Sequence, residues 1–327
     1  MRRSAVSIAA LLLLAAPSVA EPISVKALPI DYFSAAEPGR TAFGPLTFRG
    51  GLVLTSDSKE FGGVSGLRVA ADGKLTAVTD RGHWLTGTLT YNGAKPVGLE
   101  GAALFQVLNA NGKKLSGGAA DLESLEAAGG TAWIGIERRH QVLRFDISKG
   151  VSAAKGVAVP LPPEAKSFPL NGGIEGLALV PGGAEKDTLL IVTEEAYDAA
   201  GDHLAFLLPG RTKKKIRPLT LKRRGGYAVT DLAFLPGGDL IVLERRYVPP
   251  FSLSMRLRRI VQSTIAEGAV LDGDVLLEAA FPVSQIDNME ALSAHKDADG
   301  VSVLTLMSDD NFSQRQRTLL LQFAIAD

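Results

Sequence analysis

The sequence predicts an all-β domain folded as a β-propeller, and three observations predict it. One pattern occurs five times, beginning near residues 63, 122, 174, 230 and 289. The copies are spaced by about 50 to 60 residues, the length of a propeller blade rather than of a solenoid turn. No segment carries a sustained 3.6-residue apolar period bounded by helix caps.

In chain order, the first element is a leader. Arg2 and Arg3 precede an apolar run over residues 5–16, and Ser18-Val19-Ala20 supplies small residues for cleavage between Ala20 and Glu21. A run of about twelve residues matches a signal-peptide core and is too short to span a bilayer. Residues 1–20 are therefore expected to be a signal peptide and residues 21–327 a single domain, periplasmic or secreted.

The repeats follow. The first copy starts at Gly63-Val64-Ser65-Gly66-Leu67, turns at Asp72-Gly73 and returns to Asp80-Arg81. The second goes from Leu122-Glu123-Ser124-Leu125 through Gly129-Gly130 to Glu137-Arg138-Arg139. The third links Ile174-Glu175-Gly176-Leu177 through Pro181-Gly182-Gly183 to Glu194-Glu195. Thr230-Asp231-Leu232, Pro236-Gly237-Gly238 and Glu244-Arg245-Arg246 make the fourth, and Met289-Glu290-Ala291-Leu292, Asp299-Gly300 and Asp309-Asp310 the fifth. Each reads as strand, tight glycine turn, strand, which is a β-hairpin. Strand-like runs at 85–91, 141–145, 204–208 and 256–261 supply outer strands, about four per blade. The remaining candidates, 46–48, 52–54 and 318–325, are expected to form a sixth blade closed by strands from both chain ends. Five blades with a loose N-terminal arm is the alternative.

Composition narrows the function. Lys and Arg number 35 and Asp and Glu number 35, so no net positive charge marks a nucleic-acid partner. No segment after the leader is long and apolar enough to cross a membrane as a helix. With no cysteine, disulfides, thiolate metal sites and cysteine nucleophiles are excluded. A monomer is expected.

The polar residues of each copy sit where its first strand starts and its second ends. Antiparallel pairing puts those two places at one open end. Ser65 should approach Asp80, Glu123 approach Glu137, Glu175 approach Glu194, Asp231 approach Glu244, and Glu290 approach Asp309. Ring closure would gather these nine carboxylates at one end of the central channel, where they repel unless neutralised. One remedy is a hard cation such as calcium, which takes six to eight oxygen ligands. Glu175, Glu290 and Asp309 are its expected ligands, with Asn171, Asn288 and Asn311 nearby. The other is arginine: Arg81, Arg138, Arg139, Arg245 and Arg246 follow the acids directly and could pair with them. The same guanidinium groups suit phosphate oxygens, so a small anionic or phosphorylated substrate is expected. A regular strand would put Ser65 and Leu67 on one face, which leaves the side Ser65 faces open.

At these residues the chain resembles a known family. Gly-Val-Ser-Gly-Leu (63–67), Val-Thr-Asp-Arg-Gly (78–82), Asn-Gly-Gly-Ile-Glu-Gly-Leu (171–177), Val-Leu-Glu-Arg-Arg (242–246) and Ser-Asp-Asp-Asn-Phe with Gln-Arg-Thr-Leu-Leu (308–320) are similar to motifs of the phytase-like domain family. The resemblance spans roughly residues 48–324 and implies an exported propeller-like domain that hydrolyses phosphate esters. It brings no map of catalytic residues.

Other chemistry is sparse. Leu67 stands where a Gly-x-Ser-x-Gly elbow needs glycine. Ser65, His83 and Asp80 could be drawn as a triad. His140, His203 and His295 lack zinc spacing. Lys213–Lys215 and Lys222–Arg224 suit a solvated outer hairpin. The expected activity is an exported, metal-dependent phosphate-ester hydrolase. A non-catalytic ligand- or partner-binding propeller and a sugar-lactone hydrolase are the alternatives.

Overall fold

The structure, a computed structural model, describes residues 20–250 and 252–326. The expected leader, but for Ala20, lies outside the described residues. The chain forms five sheets, one per repeat, arranged as the blades of a propeller. Blade 1 is built from Val64–Val69, Lys74–Thr79, His83–Asn92 and Lys95–Gln106, with Glu21–Pro22 on its outer edge. Blade 2 runs outward from Leu122–Ala128, blade 3 from Ile174–Leu179 and blade 4 from Ala228–Phe234. Blade 5 starts with Asn288–Lys296 and Ser302–Asp309, then takes Thr318–Ile325, Leu46–Ser56 and Val25–Ile30. The only helical turns among the described residues are three short 3-10 turns.

The expected sixth blade is therefore corrected to five. Thr318–Ile325 pairs with Ser302–Asp309 on one side and with Leu46–Ser56 on the other. The two chain ends complete the fifth repeat instead of making a blade of their own. The C-terminal part supplies three strands of this blade, and Leu46–Ser56 covers the edge that Thr318–Ile325 would otherwise leave open.

The apolar residues divide into five clusters, each between two neighbouring blades. Ile174–Leu179 is buried along its whole length because a blade has neighbours on both faces. Trp84, fully buried between blades 1 and 2, meets Phe145 edge to face at 5.3 Å. Trp133 is buried in the same way between blades 2 and 3.

The innermost strands share one irregularity. Each is bulged near its start, so that Ser65, Glu123, Glu175, Thr230 or Glu290 is an extra residue against the second strand. A bulge breaks the two-residue alternation and re-aims a side chain. After it comes a residue that is small in four blades, Gly66, Ser124, Gly176 and Ala291, and is Asp231 in blade 4. Then comes leucine: Leu67, Leu125, Leu177, Leu232 and Leu292.

One side chain ties these strands together. Arg68 of blade 1 donates to the carbonyls of Leu67 (2.6 Å), Leu292 (2.8 Å), Leu177 (2.8 Å) and Leu232 (3.0 Å). It also pairs with Glu126 of blade 2 at 3.3 Å and faces Asp231 at 3.6 Å. Its partners lie in all five blades, so the guanidinium sits on the axis and closes the channel.

Candidate functional site

Above Arg68, the channel opens into a polar cavity of about 340 Å³. The bulges place three of its acids. Glu123, Glu175 and Glu290 occupy the bulged position of blades 2, 3 and 5 and line the cavity. Blades 1 and 4 carry short hydroxyl residues there instead. Ser65 Oγ donates to the Leu122 carbonyl and Thr230 Oγ1 to that of Met289, so both tie neighbouring blades together. The ends of the second strands add Asp80, Glu137, Glu194 and Asp309. Asp121, Arg138, Arg245, Asn171, Asn288 and Asn311 complete the wall.

Charge is only partly balanced in this cavity. Arg245 pairs with Glu290 at 2.9 Å and Glu194 at 3.1 Å, and donates to Asn288. Arg138 pairs with Asp121 at 2.7 Å. Asp309 accepts the Asn311 backbone N–H at 2.6 Å, and Glu137 accepts that of Gly172. Glu175 is 5% exposed and has no ion pair among the described residues. Burial, with Glu123 and Glu194 alongside, holds its carboxyl well above the usual range. Burial and Glu137 do the same to Glu123. Burial raises Glu290 to about 8 despite Arg245, and Asp309 to about 6 despite the Asn311 N–H. Burial and the Asp309 charge push Asp80 to about 7, and its buried Oδ1 has no hydrogen-bond partner.

Two groups of carboxylates could share a cation: Asp121, Glu123 and Glu137, and Glu137, Glu175 and Glu194. Within each, one oxygen per residue lies within 4.8 Å of the others. An all-oxygen set with Asn171 beside it matches a hard cation. Glu175, crowded by Glu123, Glu194 and Glu137 and without an ion pair among the described residues, is what such a site would leave before an ion binds. Of the ligands expected from sequence, Glu175 belongs to one of these groups. Glu290 is held by Arg245, and Asp309 lies in neither group.

Several expected site residues lie elsewhere. Asp231 is one residue past the bulge, so it points to the axis, where it accepts the Leu232 and Leu292 N–H groups, both at 2.7 Å. Glu244 is fully buried away from the mouth, between Arg256 (2.6 Å) and Arg258 (2.7 Å) of the next strand. Arg81 is exposed and stacks on Phe312 with its guanidinium carbon 3.3 Å from the ring centroid. Arg139 is exposed outside the cavity, and Arg246 reaches the Gly225 carbonyl and the Tyr227 ring. The drawn triad does not form, since Ser65 bonds a backbone carbonyl and His83 contacts Gln106. Lys222 and Arg224 pair with Asp202 and Asp272. Asp121 was missed because it precedes the repeat pattern. Its signal was a third acid within three residues of Glu123.

The molecule is thus a closed five-bladed β-propeller with an acidic, arginine-bearing channel mouth. The profile of the phytase-like family, described as esterase-like activity of phytase, matches residues 59–312, and the chain belongs to that family. No curated protein matches the sequence. Among solved structures, it is similar to an α-L-arabinofuranosidase from Podospora anserina, with a TM-score of 0.50 and 8% identity over 94% of this chain and 98% of that one. It is also similar to a gluconolactonase from Xanthomonas campestris (0.44, 11%, 94% and 96%). A third is an aldose sugar dehydrogenase from Streptomyces coelicolor (0.42, 14%, 94% and 100%). At these identities the similarity is one of fold alone.

Proposed function

We propose that this chain is an exported, cation-dependent hydrolase of phosphate esters. The observation that carries the reading is Glu175, a buried carboxylate among other carboxylates with no ion pair among the described residues. Family membership supports ester hydrolysis. Asp121, Glu123, Glu137, Glu175 and Glu194 would hold the cation, of which calcium is the best fit to the donor set. A bound calcium would supply positive charge to offset that of the phosphoryl oxygens. Arg138 and Arg245 have guanidinium groups at the mouth that suit phosphoryl oxygens. Asp80, raised to about 7, suits proton transfer near neutrality, accepting a proton from the attacking water. The water oxygen bonds to phosphorus, the bond to the alcohol oxygen breaks, and that oxygen leaves with a proton.

Calcium added to the metal-stripped protein should raise its melting temperature. A ligand at one hundred times its dissociation constant adds about 2.7 kcal/mol, or roughly 4 °C for a domain of this size. Glu137→Gln with Glu175→Gln should abolish the shift and calcium-dependent phosphate release from a panel of esters. No shift, together with no phosphate release, would sink the reading. Opening of sugar lactones by the same panel would replace it.

A further inference from the structure

A second cavity, of about 750 Å³, lies beside the mouth and shares Arg245, Asn288 and Asn311 with it. One wall comes from blade 4. The second strand of that blade, Leu240–Val248, and the third, Ser252–Ile260, pair out to Val248 and Ser252. Tyr247 and Leu253 are partners in this extension, and the N–H of Phe281 donates to the Leu253 carbonyl at 2.9 Å. All three side chains line the cavity, with Tyr247 57% and Phe281 48% exposed. The facing wall belongs to blade 5. Arg317 is tied to Asp287, Gln285 and the Ile286 carbonyl. Arg315 is exposed and has no carboxylate partner among the described residues.

We propose that this groove seats the alcohol portion of the ester, and that this portion is a flat apolar group of the aryl kind. Large apolar side chains left open beside a polar site gain by covering a ligand's apolar surface. Two aromatic rings and a leucine line one wall, continuous with the mouth at Arg245. A polyol carrying several phosphates would meet apolar surface there, with Arg315 as the one guanidinium not held by other groups. Of its several charges, one could meet Arg315 and the others would lose water against the apolar wall. An aryl phosphate divides as the two cavities do, its anionic end toward Arg245 and its ring toward Tyr247 and Phe281. Contacts remote from the reacting bond can favour one ester over another by lowering its barrier.

The assignment rests on the proposed hydrolysis for which bond breaks, but its binding half can be read alone. In calcium, the full chain should hydrolyse 2-naphthyl phosphate with a kcat/KM at least tenfold above that for glycerol 2-phosphate and for inositol hexakisphosphate. Tyr247→Ala with Phe281→Ala should cut the naphthyl-to-glycerol ratio about tenfold. A ratio unchanged by the double substitution, or a wild-type preference for the inositol ester, overturns the assignment. Calorimetric titration with 1-naphthylmethylphosphonate, which cannot be hydrolysed, separates the two readings. If it binds, and the double variant weakens it about tenfold, while no ester is cleaved, the groove stands and the hydrolase reading fails. If the wild-type protein binds it no better than methylphosphonate, the groove assignment fails whatever the activity.

Discussion

Glu244, in the second strand of the fourth repeat, and Glu175, near the start of the first strand of the third, meet opposite fates. Glu244 lies between two arginines that the next strand carries at alternate positions, Arg256 and Arg258, and all three are buried. Glu244→Ala would take from two buried guanidinium groups their shared buried carboxylate, leaving each only a more exposed partner, Glu278 or Asp272, at a cost of about 3–5 kcal/mol. Chemical denaturation should read that loss, while the calcium response proposed for the mouth should persist. A loss under about 1 kcal/mol would contradict the burial of the cluster. His295, in the innermost strand of blade 5, is held by burial at about 4. Its unfolded value is near 6.5, so the unfolded chain binds the extra proton between these limits. The stability it contributes is complete above about pH 6.5 and is lost as pH falls toward 4, on the order of 3 kcal/mol. Wild type should therefore lose more stability than His295→Asn between pH 7 and 4; equal losses would contradict this. The sequence revealed which residue types cluster at the open ends. It could not reveal the arginine pair that removes Glu244, because Arg256 and Arg258 belong to an outer strand outside the repeated motif.

The hairpins were legible as elements because each has its own glycine turn and apolar return strand. The bulges were not. An extra residue is a matter of register between strands, and a single strand's sequence does not fix it. Yet the bulge decides that Glu123, Glu175 and Glu290 enter the mouth and that Asp231 turns to the axis. The close approach of adjacent inner strands was equally hidden. A Cβ built on Gly66 would lie 2.6 Å from the backbone nitrogen of Leu125 in the next blade. Gly66→Ala must push blades 1 and 2 apart and should cost about 1–3 kcal/mol. Gly39→Ala, where a Cβ meets nothing within 4 Å, serves as the comparison and should change stability by less than about 0.5 kcal/mol. Equal melting points for the two variants would show that the inner strands have room to spare.

At the scale of the molecule, the sequence period set the architecture and misled only on the count. The apolar segments at the two ends looked like material for a further blade because their partner, Ser302–Asp309, was already assigned to a complete hairpin. Pairing across the whole chain length is a tertiary fact, and the sheet shows it: Thr318–Ile325 lies between strands about 250 residues apart in sequence. The five interblade clusters then close a ring with no exposed seam at its hub. Arg68 fills what remains of the axis, bonded to every blade. The propeller is consequently a cup and not a pipe. Whatever enters past Arg245 must turn round and depart by the same rim, so a bound molecule stands in the way of the next arrival until it has gone.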